Sequence, residues 1–279
     1  NAVPNLQLYM EEQMTKYTIG DLHLSLNKEK PMDIFGGNWK KHEQKIKENW
    51  KNTVQDNDLV ILPGDFSWEM HLKDMYNDFA YLNDLPGKKL LLKGNHDYWW
   101  TTLAKMREFL QENKFENIDF LYNNSYLFEE KIIAGTRGWA LNDTENSNKM
   151  NHREEERLKL SLQSGVDNFG DREIICIMHY PPIIKVESDA IQKSANEEKN
   201  YSEEDDEIEK NSEVVKHAEL NKNLKISNYV EIMKQYNVKT CLYGHLHGES
   251  HKEAFEGIID GINFKLVSSD YLDFKLYKI

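Results

Sequence analysis

Leu59-Val60-Ile61-Leu62 is apolar at every position and stops at Pro63-Gly64. Ile174–Met178 is equally unbroken and stops at His179. Runs of four or five apolar residues bounded by turn signals read as strands with both faces buried. Lys88–Leu92, ended by Gly94, and Thr240–Tyr243 extend the pattern. Between them apolar residues recur at helical spacing: Trp39, Ile46, Trp50 and Val54 within Asn38–Val54, and Leu103, Met106 and Leu110 within Thr101–Leu110. Helices are also expected at Met70–Leu82, His152–Leu162 and Ser227–Tyr236. A short strand is expected at Lys16–Ile19, and a hairpin from Tyr126–Phe128 and Lys131–Ala134. The tail, Lys252–Ile279, is strand-rich, with turn signals at Asp260-Gly261 and around Ser269-Asp270. Strand–helix alternation followed by a β-rich end predicts a layered α/β fold in which two sheets pack together.

Charge narrows the function classes. The 279 residues carry 48 acidic and 35 basic side chains, a net charge of −13. That balance argues against long nucleic acids and against an anionic membrane surface, both of which are bound through clustered lysine and arginine. No apolar run approaches the ~20 residues of a membrane span. Two cysteines far apart, Cys176 and Cys241, exclude a disulfide scaffold and fit reduced thiols in a cytoplasmic protein. Asn1–Gln13 contains no Lys or Arg and no sustained apolar stretch. It reads as an extension rather than a signal peptide, with 14–279 as one domain. Glu187–Glu213 holds eleven acidic residues against three lysines, so it accounts for eight of the 13 net negative charges. It has little to bury, and a solvated insertion is expected there.

Five polar signatures stand where apolar strands end. They are Asp21-Leu22-His23, Gly64-Asp65, Gly94-Asn95-His96-Asp97, His179, and Gly244-His245-Leu246-His247. Each alone is weak; Gly-Asp after a strand is usually only a turn. Together they would share the carboxyl edge of a largely parallel sheet, where open α/β folds build their sites. Carboxylate, amide and imidazole without thiolate suit Mn²⁺, Fe²⁺/Fe³⁺ or Zn²⁺ in an open catalytic site. Seven candidate ligands are too many for one tetrahedral ion, and they suit two ions bridged by one carboxylate.

In this order the signatures resemble those of the calcineurin-like metallophosphoesterases, and the resemblance spans about Lys16 to His247. It implies a four-layer αββα sandwich, two mixed sheets flanked by helices. By motif position it implies that Asp21, His23 and His247 hold one ion, that Asn95, His179 and His245 hold the other, and that Asp65 bridges them. The implied activity is hydrolysis of a small phosphorylated substrate by a metal-activated water. Asp65-Phe66-Ser67-Trp68-Glu69 lacks the Asp-Arg-Gly element that follows Gly-Asp in protein Ser/Thr phosphatases. The sequence is closer to small bacterial phosphohydrolases. A phosphodiesterase or nuclease acting on nucleotides and a non-catalytic interaction scaffold are the alternatives on the same fold.

His96 follows a candidate ligand and has no ion in this scheme. It is expected to protonate the leaving oxygen or steady the phosphoryl group, with Asp97 orienting it by hydrogen bonding. Arg137, in Gly135-Thr136-Arg137-Gly138-Trp139, offers a fork for a substrate phosphate or is a structural arginine. Trp68, Tyr98, Trp99 and Trp100 flank the signatures as stacking rings or core. His42, His71, His152, His217 and His251 read as surface or helix residues, and Cys176 as a small buried hydrophobe.

Overall fold

The computed structural model describes residues 14–27, 30, 32–142, 144–186 and 223–279. The extension at 1–13, the acidic stretch at 187–213 and His217 lie outside them. Thirteen strands and five α-helices are found among the described residues. The strands are β1 (Lys16–Thr18), β2 (Leu59–Leu62), β3 (Lys88–Leu92), β4 (Ile118–Leu121), β5 (Tyr126–Phe128), β6 (Lys131–Thr136), β7 (Ile174–Met178), β8 (Ile183–Lys185), β9 (Leu224–Ile226), β10 (Val238–Tyr243), β11 (Gly257–Ile259), β12 (Ile262–Leu266) and β13 (Tyr277–Lys278). The helices are α1 (His42–Thr53), α2 (Tyr76–Asn83), α3 (Leu103–Glu112), α4 (Glu145–Phe169) and α5 (Asn228–Lys234). None is long and apolar enough to cross a membrane.

Two mixed sheets form, with strand orders β13-β1-β2-β3-β4 and β11-β12-β10-β7-β6-β5. Strands β1 to β4 run parallel, with β13 antiparallel at the edge. In the second sheet β12, β10, β7 and β6 run parallel, and β11 and β5 close its edges antiparallel. The alternation of strand side chains builds three apolar layers. Leu59, Ile61, Leu90, Leu92, Ile175, Ile177 and Leu242 fill the space between the sheets. Val60, Leu62 and Leu91 pack with Ile46, Trp50, Phe79 and Met106 of the helices on the first sheet. Ile174, Cys176 and Met178 pack with Leu158, Leu162, Val230 and Met233 of α4 and α5. Every side of β2 and β7 is therefore buried, which is why their sequences carry no polar alternation. The architecture is the αββα sandwich.

Local chemistry explains the boundaries. Helix α4 begins where the Thr144 side chain accepts from the Ser147 amide and ends at Gly170, whose φ is 80°. It extends well before the expected His152, because its charged N-terminal half faces solvent and lacks an apolar stripe. Asp260 and Gly261, with φ of 52° and 77°, make the two-residue turn that joins β11 to β12. Parallel β1, β2, β3, β7, β10 and β12 all deliver their carboxyl ends to one edge of the molecule.

Candidate metal centre

All seven candidate ligands leave that edge. Asp21 and His23 follow β1, Asp65 follows β2, Asn95 follows β3, His179 follows β7, and His245 and His247 follow β10. Asp21, His23, Asp65 and His245 have φ of 60°, 46°, 51° and 74°. A non-glycine residue in this region costs on the order of 1–3 kcal/mol and persists where the surroundings over-determine it, which is characteristic of functional sites. Two glycines make the approach of the loops possible. A Cβ on Gly94 would sit 2.0 Å from Asp65 Oδ1, and one on Gly244 would sit 2.3 Å from Asp21 Oδ2.

The ligand atoms converge in two overlapping groups. His247 Nε2 is 3.3 Å from His23 Nε2 and 3.4 Å from Asp21 Oδ1. Asn95 Oδ1 is 2.6 Å from His179 Nε2 and 2.8 Å from His245 Nδ1. Asp65 Oδ2 faces both groups, 3.7 Å from His23 Nε2 and 3.5 Å from His179 Nε2. Ligand atoms of Asp21, His23 and His247 lie within 4.8 Å of one another, as do those of Asp21, Asp65 and His179. His179 Nδ1 donates to Pro63 O at 2.9 Å, which leaves Nε2 as the free lone pair.

Electrostatics agree with a site built around cations. Burial pushes the His23 and His179 imidazoles below their usual range and His245 to about 3, so all three are neutral, the ligand form. Burial and the neighbouring Asp21 push Asp65 up to about 8. Burial also raises Asp21, but the charge and hydrogen bond of His247, itself pushed up to about 10, outweigh it and hold Asp21 at about 2. Asp65, buried against a second carboxylate, has too little positive charge nearby. A cation held between these groups would supply it.

The other expected residues are placed as follows. His96 is half-buried at the mouth, its ring 4.3 Å from Trp68 and 5.8 Å from His23, with Nδ1 buried and unpartnered. The expected orienting bond from Asp97 to His96 is corrected by the structure. Asp97 accepts instead from the amides of Gly94 (2.7 Å), Asp65 (2.9 Å), Phe66 (2.9 Å) and Ser67 (3.3 Å) and from Trp99 Nε1 (3.1 Å). Its carboxylate is spent tying the β2 and β3 exit loops together. Arg137 has its Nη2 3.4 Å from Glu154 Oε1 and its guanidinium 4.6 Å over Trp139. Trp99 and Trp100 are core, Trp68 stacks on His23 at 4.9 Å, and Tyr98 is exposed. His42 is a helix residue, the first of α1, and is buried there, hydrogen-bonded to Trp39 O at 3.2 Å.

Two residues at this edge carry no signal in the sequence reading. Lys30 holds its ammonium 3.8 Å over the Trp68 ring. Asp270 contacts His247 Nδ1 at 2.8 Å. Neither belongs to a short signature, and only the fold brings them to the site; the turn signal around Ser269-Asp270 marked the place but not the partner.

No curated protein matches this chain. Among solved structures, a protein of unknown function from Aquifex aeolicus is 18% identical, with 95% of each chain covered and a TM-score of 0.44. A Thermus thermophilus protein is 13% identical, with 95% of this chain and 98% of that one covered and a TM-score of 0.49. Another solved structure reaches a TM-score of 0.50 at 14% identity, over 90% of this chain and 88% of its own, a likeness of fold. The calcineurin-like phosphoesterase family model matches residues 14–249, a span that holds all seven convergent candidate ligands. Ligand chemistry, sandwich fold and family match thus coincide on the same residues, and the chain belongs to the calcineurin-like phosphoesterases, hydrolases of phosphoester bonds.

Proposed function

We propose that this chain hydrolyses a small phosphate ester at a two-ion centre. Asp21, His23 and His247 would hold one ion, Asn95, His179 and His245 the other, and Asp65 would face both. The observation that carries this reading is the position of Asp65 Oδ2, within 3.7 Å of a histidine nitrogen from each group. Ions such as Mn²⁺, Fe²⁺/Fe³⁺ or Zn²⁺ held there would supply an activated water with a pKa lowered toward about 7 and positive charge for the phosphoryl oxygens.

The chain's own residues do the rest. Asp97 holds the backbone of Asp65 and Gly94 so that the two ligand loops keep their spacing. Trp68 covers His23 and packs against His96, which excludes water from that side of the site. Burial above all, with the nearby Lys30 ammonium, pushes His96 down to about 4, so it meets a substrate as a neutral imidazole. A dianionic phosphate beside it favours the protonated form, and His96 then stands ready to protonate the leaving oxygen. Arg137 is turned toward Glu154, and a substrate phosphate would have to share it with that carboxylate. The two free, buried thiols fit a cytoplasmic setting.

The test is a panel of phosphate monoesters, diesters and nucleotides with purified protein and added Mn²⁺, run beside metal analysis. Hydrolysis of monoesters that depends on added metal supports the reading, while preference for diesters shifts the substrate class. A chain that holds no pair of ions and hydrolyses nothing on the panel would be the interaction scaffold instead.

A further inference from the structure

Beyond the last residue matched by the family model, the exit of β12 crosses from the second sheet to the first and touches the centre twice. Gly20 donates its amide to Val267 O at 2.7 Å, and Ser269 returns its amide to Gly20 O at 3.0 Å. This zipper lays Ser269-Asp270 directly against the Asp21 loop. Ser269 Oγ donates to the Asp21 carbonyl at 2.7 Å, which helps hold a backbone at φ 60°. Asp270 reaches the other way. Its Oδ1 lies 2.8 Å from His247 Nδ1 and its Oδ2 accepts from the Gly248 amide at 3.0 Å. The carboxylate is almost fully buried, at 1% exposure, and His251 Nε2 stands 3.3 Å away on the same oxygen.

We propose that Asp270 is a positioning residue for the metal centre: by accepting the Nδ1–H of His247 it fixes the ring so that the Nε2 lone pair faces Asp21 and His23. The argument rests on the two-ion reading above. An imidazole with a free choice of tautomer places its proton on Nε2 part of the time, and that form cannot ligate through Nε2. A carboxylate on Nδ1 removes the choice and raises the basicity of the ligating nitrogen. The second bond, to the Gly248 amide, fixes the carboxylate relative to the loop that carries His247, so ring and anchor move together. Ser269 and Asp270 thus secure two of the three ligands of one ion, Asp21 and His247. No described contact links them to Asn95 or His179, so the influence is confined to one half of the centre.

Metal uptake by the full chain tests this. Metal-free wild type, Asp270→Ala and Asp270→Asn are titrated with Mn²⁺, with free and bound ion separated by electron paramagnetic resonance. The expected result is two ions in wild type, and in Asp270→Ala one ion bound as before and one weakened by about 10–100-fold. Asp270→Asn keeps an acceptor for Nδ1–H without the charge and should fall between. The same Asp270→Ala change is then made in His247→Ala and in His245→Ala backgrounds. It should cost nothing further without His247 and its full effect without His245, which a merely structural role for the turn would not produce. Unchanged metal melting temperatures are not required; the metal-free proteins are compared by thermal melting so that a folding defect is seen separately. Two ions held equally well by wild type and Asp270→Ala overturn the proposal and leave the two-ion reading standing. No ion in wild type overturns both. Three ions in wild type, falling to two in Asp270→Ala, would make Asp270 a ligand with His247 and His251 and also overturn it.

Discussion

Asp65 and His96 stand within the same cluster of side chains and should respond to substitution in opposite ways. Asp65 faces imidazoles from both halves of the centre, so one carboxylate charge is shared by two sites. Asp65→Asn keeps the shape and removes that charge. Metal content by mass spectrometry and turnover should fall together, and wild-type metal content in the variant would refute a shared role. His96 borders the cluster through Trp68 and His23 but has no ion assigned to it. His96→Ala should keep both ions and lower kcat by about 10²–10⁴-fold, the usual range for a positioned acid. The loss should shrink for a nitrophenyl ester, whose leaving group needs little protonation. Equal losses across leaving groups would assign His96 to holding the phosphoryl group.

Single elements show where sequence is informative and where it falls short. Strands β3, β5 and β7 run between the residues expected of them, because their boundaries are set by Gly, Glu-Glu and His-Tyr-Pro signals next to dense apolar runs. The seven ligand candidates were legible for the same reason, each lying just past such a run. Strand β4 (Ile118-Asp119-Phe120-Leu121) is broken by Asp119 and forms only because β3 offers its edge. Strands β8 and β9 pair with each other across the chain and offer no apolar run longer than Ile183-Ile184. Asp270 and Lys30 reach the site through tertiary crossing, which no local pattern encodes. Lys89 in β3 is a further case: a charged residue within a strand, it is 2% exposed and donates to Leu85 O. Burial pushes its ammonium down to about 7 despite Asp56 and Asp84, against 10.5 when unfolded. Below pH 7 both states are charged and the native state bears the whole cost of burying the ion. Between pH 7 and 10.5 only the unfolded state is charged, so the cost declines as pH rises, and above 10.5 it is gone. Lys89→Met should therefore stabilise the protein by about 1–3 kcal/mol at pH 6, since a methionine fills the same space without the charge. Denaturant melts at pH 6 and pH 10 check this, and an advantage that grows with pH would contradict it.

The whole molecule carries its charge unevenly. Residues 187–213 hold eight of the 13 net negative charges, and the described chain stops at Val186 and resumes at Asn223. Those two ends are already joined. Val186 donates to Asn223 O at 2.9 Å, and behind them Lys185, Ile184 and Ile183 pair in register with Leu224, Lys225 and Ile226. Beyond β9, Ser227 is bonded through its amide and hydroxyl to Pro182 O, at 3.0 and 2.7 Å. The antiparallel ladder therefore closes this part of the fold, and a connection between its ends has only to span one hairpin. Replacing 187–213 with a four-residue Gly/Ser linker should leave the ladder and the centre intact. Closure entropy changes by about 0.6 kcal/mol per doubling of length, so the shorter connection should add about 1 kcal/mol of stability. Net charge would fall from −13 to −5, which weakens the repulsion met by an anionic ester approaching the centre. At low ionic strength kcat/KM for a small phosphate ester should then rise, and at 0.15 M salt, where the Debye length is about 8 Å, most of the gain should disappear. Stopped-flow turnover at both salt concentrations, with metal content and thermal melting measured on the same samples, tests the prediction. Loss of both ions or of the folded state on shortening would mean that residues 187–213 belong to the framework that holds His179 and His245 in place.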